Sequence, residues 1–161
     1  MRYLLSLGSN IGDRPAAIGA ALRLLAGRGV TVQRRSSLYR TAPVEAPPQE
    51  DFVNAAALIE TPYGPEELLD IIAAVETELG RTRTVKNGPR TIDIDIVLSA
   101  TGAYRSARVE IPHPRWMRRR FVVEPAREIA DGAPFAAPIA AIDLRTLAAQ
   151  RIERIPTEDM P

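Results

Sequence analysis

Cysteine is absent from the 161 residues. That excludes disulfides, thiol nucleophiles and cysteine-ligated zinc or iron–sulfur centres, and it agrees with a reducing compartment, so a cytoplasmic location is expected. Histidine occurs once, as His113, too sparse for the usual histidine-rich zinc site. A Ser-His-Asp hydrolase has no foothold, because no G-x-S-x-G serine accompanies that histidine. The G-x-x-x-x-G-K-[ST] phosphate loop and the kinase glycine loop are also missing. No apolar run can span a bilayer, since the stretch Ala16 to Ala26 is broken by Arg23. The apolar run within Met1–Gly8 is too short for a secretory signal, and no small-residue cleavage site follows it. No repeat, low-complexity tract or linker divides the chain. One domain over residues 1–161, working as a monomer without membrane or nucleic acid, is therefore expected, with a core that needs no staples.

Charge is nearly balanced at +1 but unevenly spread. Residues 80–130 hold 11 Lys/Arg against 5 Asp/Glu, leaving 10 against 15 elsewhere. Inside the basic stretch lies Gly88-Pro89-Arg90-Thr91-Ile92-Asp93-Ile94-Asp95-Ile96-Val97-Leu98. Its isoleucines alternate with Asp93, Asp95 and Val97, the period of a half-buried strand. Both aspartates then share one face, about 7 Å apart. Asp is a poor strand residue and like charges on one face repel, so a cation between them is the functional reading. Mg²⁺ suits such a pair, because it takes one or two carboxylates and completes its shell with water and phosphate oxygens. A solvated sheet face bearing two harmless acids is the other reading.

The rest of the chain reads as alternating elements. Tyr3–Leu7 is a strand, followed by the turn Gly8-Ser9-Asn10. Asp13 caps a helix with Pro15 in its first turn, which runs to about Ala26 and stops at Gly27 and Gly29. Val30–Tyr39 is a second strand, Thr41–Glu50 a proline-rich loop and Phe52–Glu60 a third strand. Gly64-Pro65-Glu66-Glu67 opens a second helix, with Leu68, Leu69, Ile72, Val75, Glu76 and Leu79 at helical spacing and Gly80 closing it. Arg81–Asn87 is a basic loop into the aspartate strand, beside which Tyr104–Val109 returns as a hairpin arm. Ile111-Pro112-His113-Pro114 is a turn, Arg118–Val123 starts a short helix that ends near Pro125, and Ile142–Gln150 is a final helix. The order predicts an α+β fold: a ferredoxin-like βαββαβ core, mainly antiparallel, with helices packed on the sheet and a C-terminal extension.

Arg81, Arg83, Lys86 and Arg90 precede the aspartates, and Arg108, Arg115, Arg118, Arg119 and Arg120 surround His113. Guanidinium forks match phosphate oxygens and stay charged near neutral pH, and a neutral imidazole N–H can donate to a phosphate oxygen. Phe52 and Asn54 share a strand face, and with Phe121 they offer rings for a flat heterocycle and an amide for its edge. Read alone, those phenylalanines are ordinary core. Two rival readings stay open here: a single-stranded RNA-binding module on a ferredoxin-like sheet, disfavoured by 5% aromatics and two central acids, and a metal-dependent nucleotidyl cyclase or nuclease.

Lys86–Val97 resembles the signature of the 6-hydroxymethyl-7,8-dihydropterin pyrophosphokinase family of folate biosynthesis. The likeness extends to Leu7–Asn10, Tyr39–Pro43, Phe52–Ala56, Gly80–Arg83 and Ile111–Arg115, in family order over about residues 3–130. The resemblance implies an ATP-dependent transferase in which the pterin's hydroxymethyl oxygen takes the pyrophosphoryl group and AMP leaves. It implies two Mg²⁺ ions at Asp93 and Asp95, with Arg81 and Arg90 catalytic beside them. ATP is expected to meet Glu76, Arg81, Arg90, Arg108, His113 and Arg119. The pterin is expected to meet Thr41, Ala42, Val44, Phe52, Asn54 and Phe121. Loops near 42–51 and 81–88 are expected to close during the cycle. Asn87 and Pro114 stand where some relatives carry aromatics, which removes a stacking lid and one nucleotide contact from the expectation.

Overall fold

The computed structural model describes residues 1–80 and 91–156. Its strands are β1 (Arg2–Ser9), β2 (Thr31–Arg35), β3 (Tyr39–Thr41), β4 (Phe52–Glu60), β5 (Asp93–Ser99), β6 (Tyr104–Arg105), β7 (Glu110–Ile111) and β8 (Ile152–Arg154). The helices are α1 (Arg14–Ala26), α2 (Pro65–Glu78), α3 (Arg120–Ile129) and α4 (Ala136–Ala140). The main sheet runs β5-β1-β4-β3-β8, with β2 also on β4. Every pairing in it is antiparallel.

The helix boundaries follow from local chemistry. The Asp13 carboxylate accepts the Ala16 amide at 3.2 Å and Pro15 occupies the first turn of α1, where a missing N–H costs nothing. Pro65, Glu66 and Glu67 open α2, with the acids facing the positive end of the helix dipole. Ile18, Ala21, Leu22 and Leu25 of α1 and Leu68, Ile72 and Val75 of α2 are buried together against Leu5, Leu7, Ala55, Ala57, Ile94 and Ile96. On the sheet's other face Leu4, Ala56, Leu58, Val97 and Leu98 meet Val122, Val123, Ala126 and Ile129 of α3, with Phe135, Ile139 and Leu147 behind them. Helices therefore cover both faces, which explains why β4 is buried along most of its length. Each such aliphatic side chain contributes roughly 1.5–3 kcal/mol by leaving water.

The α+β, ferredoxin-like architecture with its C-terminal extension is as expected; several boundaries are not. The Val30–Tyr39 strand is two strands, because β2 pairs with Ala57–Glu60 and β3 with Phe52–Asn54 of the same neighbour. Between them the Ser36 amide donates to Ala56 O, and its hydroxyl turns to Ser37 O. Gly8 and Ser9 continue β1 instead of turning. Tyr104–Val109 does not pair with β5; β6 instead pairs with β7 in a separate two-stranded sheet. Pro125 lies inside α3, since four flanking apolar residues buried on the sheet outweigh one missing hydrogen bond. Residues 142–150 hold only a 3-10 turn, Leu144–Leu147, while α4 and β8 stand where no element was foreseen. The basic loop 81–87 lies outside the described residues.

Candidate active site

The α3 layer stops short of one end of the sheet, and the sequence changes character there on β1, β4 and β5. Along β1 the outward positions go from Leu4 to Ser6 and Gly8. Along β4 they go from Leu58 and Ala56 to Asn54 and Phe52, and along β5 from Val97 to Asp95 and Asp93. Register puts Asp95 beside Ser6, Asp93 beside Gly8, and Gly8 beside Asn54, whose other neighbour is Tyr39. Apart from Phe52, apolar residues thus give way to small or polar ones where no helix covers them. Above this floor is a cavity of about 840 Å³.

Its walls gather most of the expected residues: Thr41, Ala42, Val44, Phe52, Asn54, Asp93, Asp95, His113, Arg119 and Phe121. The Asn54 amide donates to the Thr41 hydroxyl at 2.6 Å, which leaves its second N–H and its carbonyl for a ligand. That carbonyl lies over Gly8, where a Cβ would fall 2.6 Å from Asn54 Oδ1. Only glycine permits the approach. The Arg119 guanidinium sits over the Phe121 ring, 5.5 Å from its centre.

Arg115 and Arg118 also line the cavity. Among the described residues neither they nor Arg119 pair with a carboxylate. Burial, then the positive charges of Arg119 and Arg115, pushes the His113 imidazole down to about 4, against smaller opposing effects of Asp93 and Glu110. The ring is neutral at pH 7. Its Nδ1 accepts the Arg115 amide at 3.2 Å, so the proton belongs on Nε2, which becomes a donor. The His113 amide itself donates to Val97 O at 2.9 Å, tying this turn to the aspartate strand.

Two expected nucleotide residues stand apart from the cavity wall. Glu76 on α2 accepts the Ile94 amide at 3.0 Å, filling the open edge of β5 between the two aspartates. Arg108, on the β6–β7 turn, pairs with Glu66 at 3.2 Å and Asp70 at 2.5 Å. Arg81 and Arg90 lie outside the described residues. Arg115 and Arg118, two of the arginines expected around His113, line the cavity, as do Ser6 and Gln150, to which the sequence gives no role. For Ser6 the available signal was its alternation with Leu5 and Leu7, which puts it on Gly8's face.

Asp93 and Asp95 present hard oxygen donors, half-buried, on one face of one strand. No group of three or more His, Cys, Asp or Glu is assembled among the described residues. Two carboxylates opening into a cavity fit Mg²⁺ that completes its shell with water and phosphate oxygens. Among the described residues no helix is long and apolar enough to cross a membrane.

A sequence model of the 7,8-dihydro-6-hydroxymethylpterin-pyrophosphokinase (HPPK) family matches residues 4–131. The 2-amino-4-hydroxy-6-hydroxymethyldihydropteridine pyrophosphokinase of Bacillus subtilis is 44% identical over 126 residues, covering 78% of this chain and 75% of the relative. The enzyme of the same name from Methylorubrum extorquens is 42% identical over 130 residues, covering 80% and 82%. The Folate synthesis bifunctional protein of Pisum sativum is 38% identical over 126 residues, and the match spans 24% of its length. Among solved structures, a crystal structure of HPPK-DHPS in complex with substrates superposes with a TM-score of 0.62 at 13% identity, covering 92% of this chain and 43% of that one. This last likeness speaks for the fold. Identity above 40% over three quarters of two separate relatives, with the model spanning both the aspartate strand and the His113 turn, makes this chain a member of the 7,8-dihydro-6-hydroxymethylpterin-pyrophosphokinase family.

Proposed function

We propose that this protein transfers pyrophosphate from ATP to 6-hydroxymethyl-7,8-dihydropterin, giving the pterin diphosphate and AMP, a step of folate biosynthesis. The observation that carries the reading is one cavity lined by a carboxylate pair, three arginines and an amide flanked by phenylalanine. Nucleotide chemistry and heterocycle recognition can both be served there. In this reading residues 1–161 act as one pyrophosphokinase domain and as a monomer.

The pterin lies with its rings against Phe52 and Phe121 and its edge on Asn54 and the backbone around Thr41, Ala42 and Val44. Its hydroxymethyl oxygen bonds to the β-phosphorus and gives up its proton to solvent, the bond from that phosphorus to the oxygen it shares with the α-phosphorus breaks, and AMP departs. Asp93 and Asp95 hold Mg²⁺, two ions in this reading, which when bound neutralises charge on the triphosphate. Little else is asked of the protein than position and charge. Arg81, Arg90 and Arg119 take phosphate oxygens, and His113 donates Nε2–H to one. Arg108 joins them by leaving Glu66 and Asp70, a small cost because exposed ion pairs are screened by solvent. Glu76 serves the nucleotide from α2 while bracing the strand that carries the aspartates.

The test is product analysis with ATP, Mg²⁺ and the reduced hydroxymethyl pterin. AMP and diphosphorylated pterin in equal amounts are expected. Asp93→Ala and Asp95→Ala should each lower turnover by about 10²-fold or more, the scale of losing preorganised charge stabilisation, with the folded circular-dichroism spectrum retained. Cyclic nucleotide or cleaved nucleic acid in place of AMP, or unchanged Mg²⁺-dependent turnover in either variant, sinks the reading.

A further inference from the structure

Residues 132–156 lie beyond the stretch matched by the family model, which ends at residue 131. Yet two consecutive residues of this segment reach both walls of the cavity. Gln150 is part of the cavity lining. Its side-chain oxygen accepts the Arg120 amide at 2.9 Å, and its side-chain nitrogen donates to Arg118 O at 2.7 Å. One amide group therefore brackets Arg119 from both sides. The Arg120 guanidinium returns to Gln150 O at 3.0 Å and pairs with Glu124 at 2.8 Å. Arg151 turns to the opposite wall: its carbonyl accepts the Ala42 amide at 3.2 Å, and its guanidinium meets the Asp51 carboxylate at 2.9 Å. Those two contacts close the beginning and end of the proline-rich loop. β8 then continues alongside β3, placing Ile152 next to Thr41.

We propose that Gln150 is a positioning residue for the pterin slot, and that Gln150 and Arg151 together form a clasp setting the distance between the Arg118–Phe121 turn and the 42–51 loop. This rests on the function proposed above, which puts the pterin between Phe121 on one wall and the Thr41–Val44 backbone on the other. The geometry explains why Gln stands at 150. Its side chain both accepts and donates at one planar group, which the two backbone groups flanking Arg119 require. A half-buried amide with both ends engaged also has little freedom to leave the cavity wall.

The experiment compares the whole protein with Gln150→Met, which keeps length and volume but can make neither hydrogen bond. Pterin and Mg²⁺-ATP affinities are read by calorimetry, KM and kcat by AMP release, and folding by thermal melting. Expected for Gln150→Met is a pterin Kd and KM raised about tenfold, the effect of a slot no longer held at the width the ligand needs. Mg²⁺-ATP affinity should change about twofold at most, because Arg119 is one of several cations there, and the melting temperature should fall by only the few degrees that two lost intramolecular hydrogen bonds cost. Gln150→Glu keeps the acceptor for the Arg120 amide and should recover part of the loss. Unchanged pterin affinity in Gln150→Met overturns the clasp. So does an equal loss of pterin and Mg²⁺-ATP affinity, which would make Gln150 a general prop. If Gln150→Met does not fold, Arg151→Ala is read by the same criteria from the other wall. Wild-type protein that binds no pterin overturns the functional reading and the clasp with it, whereas active wild type with an unaffected variant overturns the clasp alone.

Discussion

Gly8 contributes to the cavity by lacking a side chain. A Cβ built there meets Asn54 Oδ1 at 2.6 Å and Phe52 Cδ1 at 3.6 Å, so the first contact is well inside any tolerated separation and the second is ordinary. Something must yield in Gly8→Ala. Rotating Asn54 breaks its 2.6 Å bond to Thr41, and shifting the backbone disturbs a strand paired on both sides. Such overpacking costs about 1–3 kcal/mol, which a domain with the usual margin survives. The expected variant is folded, with pterin binding weakened by about 10-fold or more because the displaced amide is the one that the proposed function puts on the pterin's edge. Titration calorimetry beside a thermal melt checks this, and a Gly8→Ala protein that binds the pterin normally would show that Asn54's pose over Gly8 is irrelevant to recognition.

Among elements, α3 sets where the cavity begins, and one carboxylate ties it to the sheet through three hydrogen bonds. Glu128 accepts the Ser37 amide at 2.9 Å, the Ser37 hydroxyl at 2.7 Å and the Tyr39 hydroxyl at 2.7 Å. Burial pushes its carboxyl up, but the Tyr39 and Ser37 donors, with Arg154 nearby, outweigh that and hold it below the usual range. Burial and then Glu128 itself push the Tyr39 phenol well above its ordinary value. A carboxyl depressed in the folded state adds stability that is present above its unfolded pKa, near 4.3, and lost as pH falls through the folded value. Glu128→Ala leaves Ser37 and Tyr39 without their acceptor, so it should destabilise by about 1–3 kcal/mol at pH 7. The gap to wild type should narrow as the pH drops below about 4. Urea titrations at pH 7 and near pH 3 decide it; a gap of constant size would mean that the carboxylate charge contributes nothing. None of these contacts is local, which is why this part of the chain was hardest to read. The strands and helices of the first half announce themselves by period and caps, whereas β8, α4 and the uninterrupted α3 depend on partners far along the chain. Arg34 on the Ile129 and Asp131 carbonyls and Arg127 on the Ala140 and Ile142 carbonyls are examples. The same holds within the cavity. Asp93, Asp95, Phe52 and Asn54 stand out by alternation and type, but Gln150 becomes visible only once the chain has folded back on itself.

At the scale of the whole molecule, what matters is how a chain of net charge +1 concentrates its charges. The basic stretch 80–130 supplies Arg115, Arg118 and Arg119 to one wall of the cavity, and the strand within it supplies the two aspartates to the floor. Between low-dielectric walls such an arrangement attracts a polyanion carrying its own divalent cation, and repels one without it less than the aspartates alone would. In the proposed function the pterin, uncharged near neutral pH, is held by ring contact and hydrogen bonds, so the two ligands should respond differently to salt. The Debye length falls from about 10 Å at 0.1 M to about 3 Å at 1 M, which spans the distances over which the three arginines act on a triphosphate. Raising monovalent salt from about 0.1 to about 0.5 M at fixed Mg²⁺ should weaken ATP binding roughly fivefold while moving pterin binding by less than about twofold. Arg118→Ala should flatten the ATP dependence, since that guanidinium meets no carboxylate among the described residues and its charge is spent on the cavity. Calorimetric titrations of each ligand across the salt series measure both slopes. Equal slopes for ATP and pterin would mean that the arginine wall does not act on the nucleotide, and that the concentration of charge in this stretch of the chain serves solubility instead.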